Sequence, residues 1–306
     1  DNIDLDVATE RGIVVLNTPD ANATTTAELA VAHMFSLSRN LPKADGSVRS
    51  GLWERNSFLG IELTGKTVGV VGFGTIGRLF AEKCIGLGMI VIGFDPFVTE
   101  ETFRSHNINK VDLDELLINS DYVSLHCPVT DDTRNLINEQ NLGLIKKGSH
   151  IINCARGGLI DENALLEAVE SGHLAGAALD VFENEPPGDS PLFRCDKIHF
   201  TPHLGASTHE AQTAVGVEIA HNIASYLIKG QVVNAVNIPS IDQGKEEQFL
   251  PFIELGRKLG VLLNAMAVGS VSSIEVSSYG EVNKLDSHPI TSSLLIGYLS
   301  SQLSVP

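Results

Sequence analysis

The chain is short of several things, and each shortage removes a class of function. Its four cysteines, Cys84, Cys127, Cys154 and Cys195, stand far apart with no Cys-x-x-Cys pair. That spacing excludes a zinc ribbon and a disulfide framework, and it reads as free thiols in a reducing, cytoplasmic setting. Basic residues are scarce: 21 Lys and Arg face 38 Asp and Glu, for a net charge of −17, and no basic run occurs. A nucleic-acid partner wants a basic face, so none is expected. No apolar run approaches about 18 residues, so no membrane span or membrane partner is expected. No signal peptide is read. What remains is ordinary globular material, with 43% hydrophobic and 19% charged residues in 306, enough for two domains with real cores. The chain opens Asp1-Asn2-Ile3-Asp4 without a methionine and stops at Pro306 just after a helical stretch, so it reads as a piece of a longer protein.

Hydrophobic periodicity sets the expected elements. Ile13-Val14-Val15-Leu16 predicts a short buried strand in a region of strand pieces and turns. Thr24-Thr25-Thr26 with Glu28 predicts a threonine-capped helix through Leu37, apolar nearly all round and therefore buried between layers. From residue 66 the pattern alternates: strands at Thr67–Val71, Ile90–Phe94, Tyr122–Leu125, Ser149–Asn153, Ala175–Val181 and Ile198–Thr201. Helices are expected after the glycine turn, over Glu162–Ser171 and over Thr208–Lys229, while Val111–Asn119 reads only as short and polar. Apolar strands alternating with helices predict an α/β fold with a doubly wound parallel sheet. Asp242–Glu247 reads as a linker, Phe249–Met266 as an amphipathic helix and Val271–Tyr279 as a half-exposed strand.

The first motif with chemistry is Gly72-Phe73-Gly74-Thr75-Ile76-Gly77, which directly follows a strand and opens a helix. Gly72 allows the tight turn, Gly74 lets backbone approach a pyrophosphate, and Gly77 lets helix and strand pack closely. The N–H groups around Thr75 and Ile76 would face phosphates at the positive end of that helix, which is where an acidic protein can supply local positive potential. Asp95 lies 18 residues after Gly77, at the end of the next strand. Its carboxylate suits ribose hydroxyls and repels a 2′-phosphate, so NAD is expected over NADP. The competing reading is a structural glycine turn with Asp95 as a capping residue.

Three polar residues downstream make a chemical set. Arg156 follows a strand in Asn153-Cys154-Ala155-Arg156-Gly157-Gly158, where a guanidinium can grip a substrate carboxylate and polarise the adjacent carbonyl. His203 follows Thr201-Pro202 after the last strand, placed to move the proton that accompanies hydride transfer at a carbinol carbon. Glu185, in Glu183-Asn184-Glu185-Pro186, could bond the far ring nitrogen. With ten histidines in the chain, His126 beside Cys127-Pro128 is a rival at another strand end. Asp180 is expected either to face the nicotinamide or to orient local loops.

Together with Trp53-Glu54-Arg55 and Leu63-Thr64-Gly65-Lys66-Thr67, these motifs resemble the D-isomer-specific 2-hydroxyacid dehydrogenases over almost all of Asp1 to Pro239. Within that family the chain is most similar to the long-type enzymes that oxidise 3-phospho-D-glycerate to 3-phosphohydroxypyruvate at the head of serine synthesis. The resemblance implies His203 as acid/base, Glu185 as its partner and Arg156 as the residue that binds the substrate acid group. It implies an NAD site lined by Thr75, Ile76, Asp95, Cys127, Cys154, Ala155, Asp180, His203, Leu204, Gly205 and Ala206; a threonine is common where Cys127 stands. It also implies a homodimer or homotetramer, with the Trp53–Arg55 segment helping to form the dimer, and a small-molecule substrate as the other partner. The implied domain plan is a substrate-domain remnant over 1–20, an NAD-binding domain over 21–205, the return helix and end of a truncated substrate domain over 206–240, and the start of a C-terminal α+β intervening domain over 248–306. Two other readings stay open: a relative acting on glyoxylate, hydroxypyruvate or lactate, and a non-enzymatic NAD-sensing scaffold like the co-repressors built on this fold. The tail after Gln248 favours the long-type enzyme over both.

Overall fold

The computed structural model describes residues 3–229, 231–238, 246–267, 271–285 and 287–300. The chain divides into two compact units, residues 20–214 and residues 1–19 with 215–306. The second division falls inside a helix, nine residues beyond the boundary at 205/206 that the family resemblance implies.

Elements follow in chain order as α1 (Leu5–Glu10), α2 (Ala23–Arg39), α3 (Leu41–Arg49), β1 (Thr67–Val71), α4 (Thr75–Gly86), β2 (Ile90–Phe94) and α5 (Glu100–Ser105). Next come β3 (Asn109–Lys110), α6 (Leu113–Asn119), β4 (Tyr122–Leu125), α7 (Glu139–Leu142), β5 (His150–Asn153), α8 (Glu162–Glu170), β6 (Gly176–Leu179) and β7 (Ile198–Phe200). The last helices are α9 (His209–Lys229), α10 (Glu246–Met266) and α11 (Ser287–Leu299).

The strands of the 20–214 unit form one seven-stranded sheet in the order β3-β2-β1-β4-β5-β6-β7, parallel at every pair. The order reverses between β1 and β4, the switch point where open α/β sheets bind ligands outside their carboxyl ends. Neighbouring residues on a strand serve opposite faces. Val68, Val70, Ile152 and Ala178 pack with Met34 and Phe80 under α2 and α4, whereas Val71, Ile151, Ala177 and Leu179 pack with Leu116, Leu117 and Leu165 under α6 and α8. A sheet covered on both faces explains why its strands read as near-continuous apolar runs.

Several expectations are corrected. Residues 13–16 form no strand: only Leu16 makes an isolated bridge, with Ala235, and Ile13 is exposed. Ahead of them lies α1, whose Asp4 cap accepts from Val7 N–H at 3.0 Å. Helix α2 begins at Ala23 after Asn22, so the threonines lie inside its first turn and do not cap it. Nor is it buried all round, because Glu28, Ala32 and Phe35 face solvent while Ala27, Ala30, Met34 and Leu37 meet the sheet. The polar stretch before Asn119 is α6, capped by Asp112 and anchored by Leu116 and Leu117, both fully buried. Burying each such leucine stabilises by about 1.5–3 kcal/mol, more than the flanking polar residues cost.

In the other unit α10 and α11 pack as a pair, with Gly260 and Gly297 admitting the facing backbone. The expected strand at 271–279 is absent; the segment carries no regular structure, because alternation makes a strand only when a ladder partner exists and no described strand pairs with it. Of the expected linker, residues 242–245 lie outside the described residues, while Glu246 and Glu247 belong to α10.

Candidate active site

The glycine turn leaves β1 at Gly72, whose φ of +92° is open to glycine and hostile to side chains. A Cβ there would also lie 2.8 Å from the Cys127 nitrogen and the His126 carbonyl. At Gly77 a Cβ would lie 2.0 Å from Gly72 O, so only glycine lets α4 approach the turn. Gly74 differs from both: nothing lies within 4 Å of its Cβ position, and no side chain caps α4. The N–H groups of Thr75 and Ile76 therefore begin a helix whose positive end is left to a ligand. Asp95 follows β2 and accepts from Phe73 N–H through Oδ2 and from Phe97 N–H through Oδ1, each at 2.8 Å. It ties the turn to the end of β2, and each oxygen keeps a second lone pair for a hydroxyl. The capping reading and the ribose reading of Asp95 are thus compatible. An open approach at Gly74, an uncapped helix and a carboxylate at the strand end fit a dinucleotide such as NAD.

Beyond β5 the chain turns sharply. Asn153, buried, accepts from Ala155 N–H at 3.0 Å and donates to Arg156 O at 2.9 Å, which shapes the Cys154-Ala155-Arg156 turn. Arg156 is exposed, and one of its amino groups donates to Ala155 O. At Gly157 a Cβ would overlap Phe182 O, so this turn and the one after β6 touch backbone to backbone. Cys154 and Cys127 supply shape here and no reactive thiolate. Burial pushes the Cys127 thiol up to about 11, reinforced by the Asp95 charge, and raises the Cys154 thiol as well, reinforced by Asp180.

His203 and Glu185 meet. Glu185 Oε2 lies 2.6 Å from His203 Nδ1, and Glu185 Oε1 accepts from Phe182 N–H at 3.0 Å. One carboxylate oxygen is fixed to the backbone, so the other can fix the ring. Burial opposes charge on Glu185, but the His203 and Phe182 bonds and the nearby charges of His203 and Arg156 outweigh it and hold the carboxyl below the usual glutamate range. Phe182, Phe193, Phe200 and Pro202 bound a cavity of about 390 Å³ beside the pair.

The turn that carries His203 is organised by Asp180, at the end of β6 and fully buried. Its carboxylate accepts from Thr201 Oγ1 at 2.5 Å, Leu204 N–H at 2.7 Å and Gly205 N–H at 2.9 Å, while its backbone carbonyl accepts from His203 N–H at 2.9 Å. His203 itself sits at φ +53°, a left-handed backbone that a non-glycine residue holds only when its surroundings impose it. Ala206 follows within the same turn, half-buried. Of the two readings of Asp180, orientation of loops is the one these bonds make explicit.

The rival histidine is unsuited to proton transfer near neutrality. His126 bonds Ser124 through Nε2 at 2.9 Å, its Nδ1 is sealed from solvent without a partner, and burial pushes its pKa down to about 3. In the sequence Thr201 is no more than the start of the Thr201-Pro202-His203 motif; the fold places its hydroxyl between Asp180 and His33. The signal for His33 is a titratable residue on the mostly apolar buried stripe of α2, which also carries Thr26 and Ser38. Among the described residues there is no cluster that could hold a metal ion and no helix long and apolar enough to cross a membrane.

Residues 31–205 match the model of the D-isomer specific 2-hydroxyacid dehydrogenase NAD binding domain. The D-3-phosphoglycerate dehydrogenase of Methanocaldococcus jannaschii is 44% identical over 301 residues, which is 98% of this chain and 57% of that protein. The chain therefore spans little more than half the length of this curated relative. Among solved structures, a glyoxylate reductase from Paecilomyes thermophila superposes with a TM-score of 0.72 at 37% identity, covering 77% of this chain and 72% of that one. A D-lactate dehydrogenase from Aquifex aeolicus, in complex with NAD and lactic acid, superposes with a TM-score of 0.69 at 31% identity, covering 78% of each.

Proposed function

The chain belongs to the D-isomer-specific 2-hydroxyacid dehydrogenase family, and from that premise we propose that it is the NAD-binding and catalytic part of an enzyme that oxidises 3-phospho-D-glycerate to 3-phosphohydroxypyruvate. The observation that carries the chemistry is the 2.6 Å contact between His203 Nδ1 and Glu185 in the domain that holds the NAD motif. With Nδ1–H turned to the carboxylate, His203 Nε2 is left as the acceptor for the substrate hydroxyl proton. The proton moves from the C2 hydroxyl to Nε2, and Glu185 stabilises the imidazolium that results. Arg156 receives the substrate carboxylate, and its charge is close enough to be felt at Glu185. When bound, NAD supplies the hydride acceptor; Thr75, Ile76 and Asp95 are the residues that would hold its phosphates and ribose.

The phosphorylated substrate is favoured by a similarity to the Methanocaldococcus jannaschii D-3-phosphoglycerate dehydrogenase that runs through 98% of the chain, including the tail after Gln248. In the same reading, residues 1–20 and 206–240 belong to a substrate domain and 248–306 to an intervening domain. A homodimer or homotetramer is proposed from the segment after α3, where Trp53 is 79% and Leu59 89% exposed. Four free thiols support a reducing, cytoplasmic setting.

The test is NADH oxidation with 3-phosphohydroxypyruvate, run beside glyoxylate and pyruvate, with NADH fluorescence read in parallel. Turnover selective for the phosphorylated acid is expected. Preference for glyoxylate or pyruvate would move the assignment to another branch of the family. Nucleotide binding without turnover of any acid would count against the enzyme and for a nucleotide-sensing scaffold.

A further inference from the structure

Helix α2 reaches the turn that carries His203 at three points. Thr25 Oγ1 lies 3.3 Å from Thr208 Oγ1, Thr26 Oγ1 donates to Gly205 O at 2.9 Å, and His33 Nε2 lies 2.9 Å from Thr201 Oγ1. The third contact continues onward, because Thr201 Oγ1 donates to Asp180 Oδ1 at 2.5 Å. A hydroxyl carries one hydrogen, and an ionised carboxylate can only accept. Thr201 has therefore committed its hydrogen to Asp180 and meets His33 with a lone pair. His33 must be the donor, in the tautomer that carries its hydrogen on Nε2. Burial, reinforced by His199 and opposed by the Asp180 charge, pushes the His33 pKa down, so at neutral pH the ring is an uncharged donor of fixed orientation.

We propose that His33 is a positioning residue for His203, acting through Thr201 and Asp180; the inference rests on the reading of His203 as the acid/base. The Asp180 carboxylate gathers the N–H groups of Leu204 and Gly205, the two residues that follow His203. Its orientation is set by those N–H groups together with the Thr201 hydroxyl, and that hydroxyl is held and polarised by His33. His203 occupies a left-handed backbone that its surroundings must hold, so its ring meets Glu185 only while the turn keeps its shape. Without the His33 donor the Thr201 hydroxyl keeps only its bond to Asp180, and the turn loses one of the constraints that keep the imidazole aimed. A histidine that only filled space under the sheet would affect stability and leave the ring of His203 alone.

Two polar variants separate these roles. In His33→Gln the amide nitrogen stands where Nε2 stood; in His33→Asn it stops short, at the position of Nδ1. The first readout needs no turnover: the Nδ1 proton resonance of His203 in protein labelled with 15N-histidine, assigned by its loss in His203→Gln. The second is kinetics with the oxo acid the parent reduces best. For His33→Asn we expect a displaced and broadened His203 signal and kcat down about tenfold, with KM and NADH affinity changed less than about twofold. His33→Gln should recover both. An unchanged His203 signal in His33→Asn, or equal behaviour of the two variants, overturns the proposal. Should the parent reduce none of the acids, the assigned activity falls while the His203 resonance still decides the role of His33.

Discussion

Two turns at the carboxyl ends of one sheet face opposite problems and solve them with different materials. The glycine turn after β1 is made of backbone: Gly72 and Gly77 remove side chains so that strand, helix and the chain at His126–Cys127 can touch. The histidine turn after β7 is held by side chains from two distant segments, Thr26 and His33 on α2 and Asp180 after β6, together with its own Thr201, which keep a strained residue in place. A site that must receive a long anionic cofactor needs open N–H groups and close backbone. A site that must aim one proton carrier needs that carrier over-determined. The first kind is local in sequence, the second is not.

The comparison can be broken or sharpened by experiment. The largest effect belongs to His203→Ala, which should lower kcat/KM by about 10²–10⁴-fold and leave NADH affinity nearly unchanged, measured by steady-state kinetics and fluorescence titration. Equal loss of nucleotide binding would mean that the two turns are one functional unit. Next, Gly77→Val drives a side chain into Gly72 O and should abolish NADH binding while destabilising by about 1–3 kcal/mol in urea unfolding. Gly74→Ala is its control, with open space around the Cβ: stability should hold and nucleotide affinity fall.

Asp180→Asn probes the other turn. An amide presents a donor where Thr201 or the N–H groups of Leu204 and Gly205 expect acceptors, so the loss should be about 1–3 kcal/mol in unfolding free energy. NADH binding at the glycine turn should survive better than turnover. A variant as stable as the parent would show that the carboxylate cage does not hold the turn.

The smallest effect is a slope. Folded His126 and His150 have pKa values pushed by burial from 6.5 to about 3 and about 4, a histidine charge helping at His150. Below pH 6.5 the unfolded chain takes up protons on these residues that the folded chain refuses. The stability they allow is therefore complete above pH 6.5 and declines on acidification toward the folded pKa values. Each contributes about 1.4 kcal/mol per pH unit in that window. His126→Gln should flatten the slope by one proton's worth in urea titrations at pH 7.5, 6 and 5; an unchanged slope would mean that His126 titrates freely.

The glycine turn could be read before any fold was known because its ingredients are consecutive: a strand, three glycines, a helix and an aspartate 18 residues on. His203, Glu185 and Arg156 were legible as candidates because each follows a strand end or flanks a proline or glycine turn. Residue types alone favour His203 over His126 only slightly, since two histidines at two strand ends look alike in a sequence; the family resemblance is what ranks His203 first. Burial separated them, leaving His126 neutral in the interior and His203 at the surface beside a carboxylate. The strand expected at 271–279 failed for a related reason: alternation records which side chains could share a face and says nothing about whether a partner strand exists. Similarly, α6 reads only as short and polar because Leu116 and Leu117 are few among polar neighbours, although both are fully buried.

By itself the sequence determined the local chemistry. Periodicity set the alternation of strands and helices, glycine set where backbone could close up, and the order of motifs set the family, because these depend on neighbours within a few residues. Tertiary structure alone decided which polar groups meet across 18, 21 and 168 residues of chain, as in Glu185 with His203, Asp180 with Thr201, and His33 with Thr201. Hydrogen bonds reach about 3 Å, and no pattern along the chain reports a distance that short between residues so far apart.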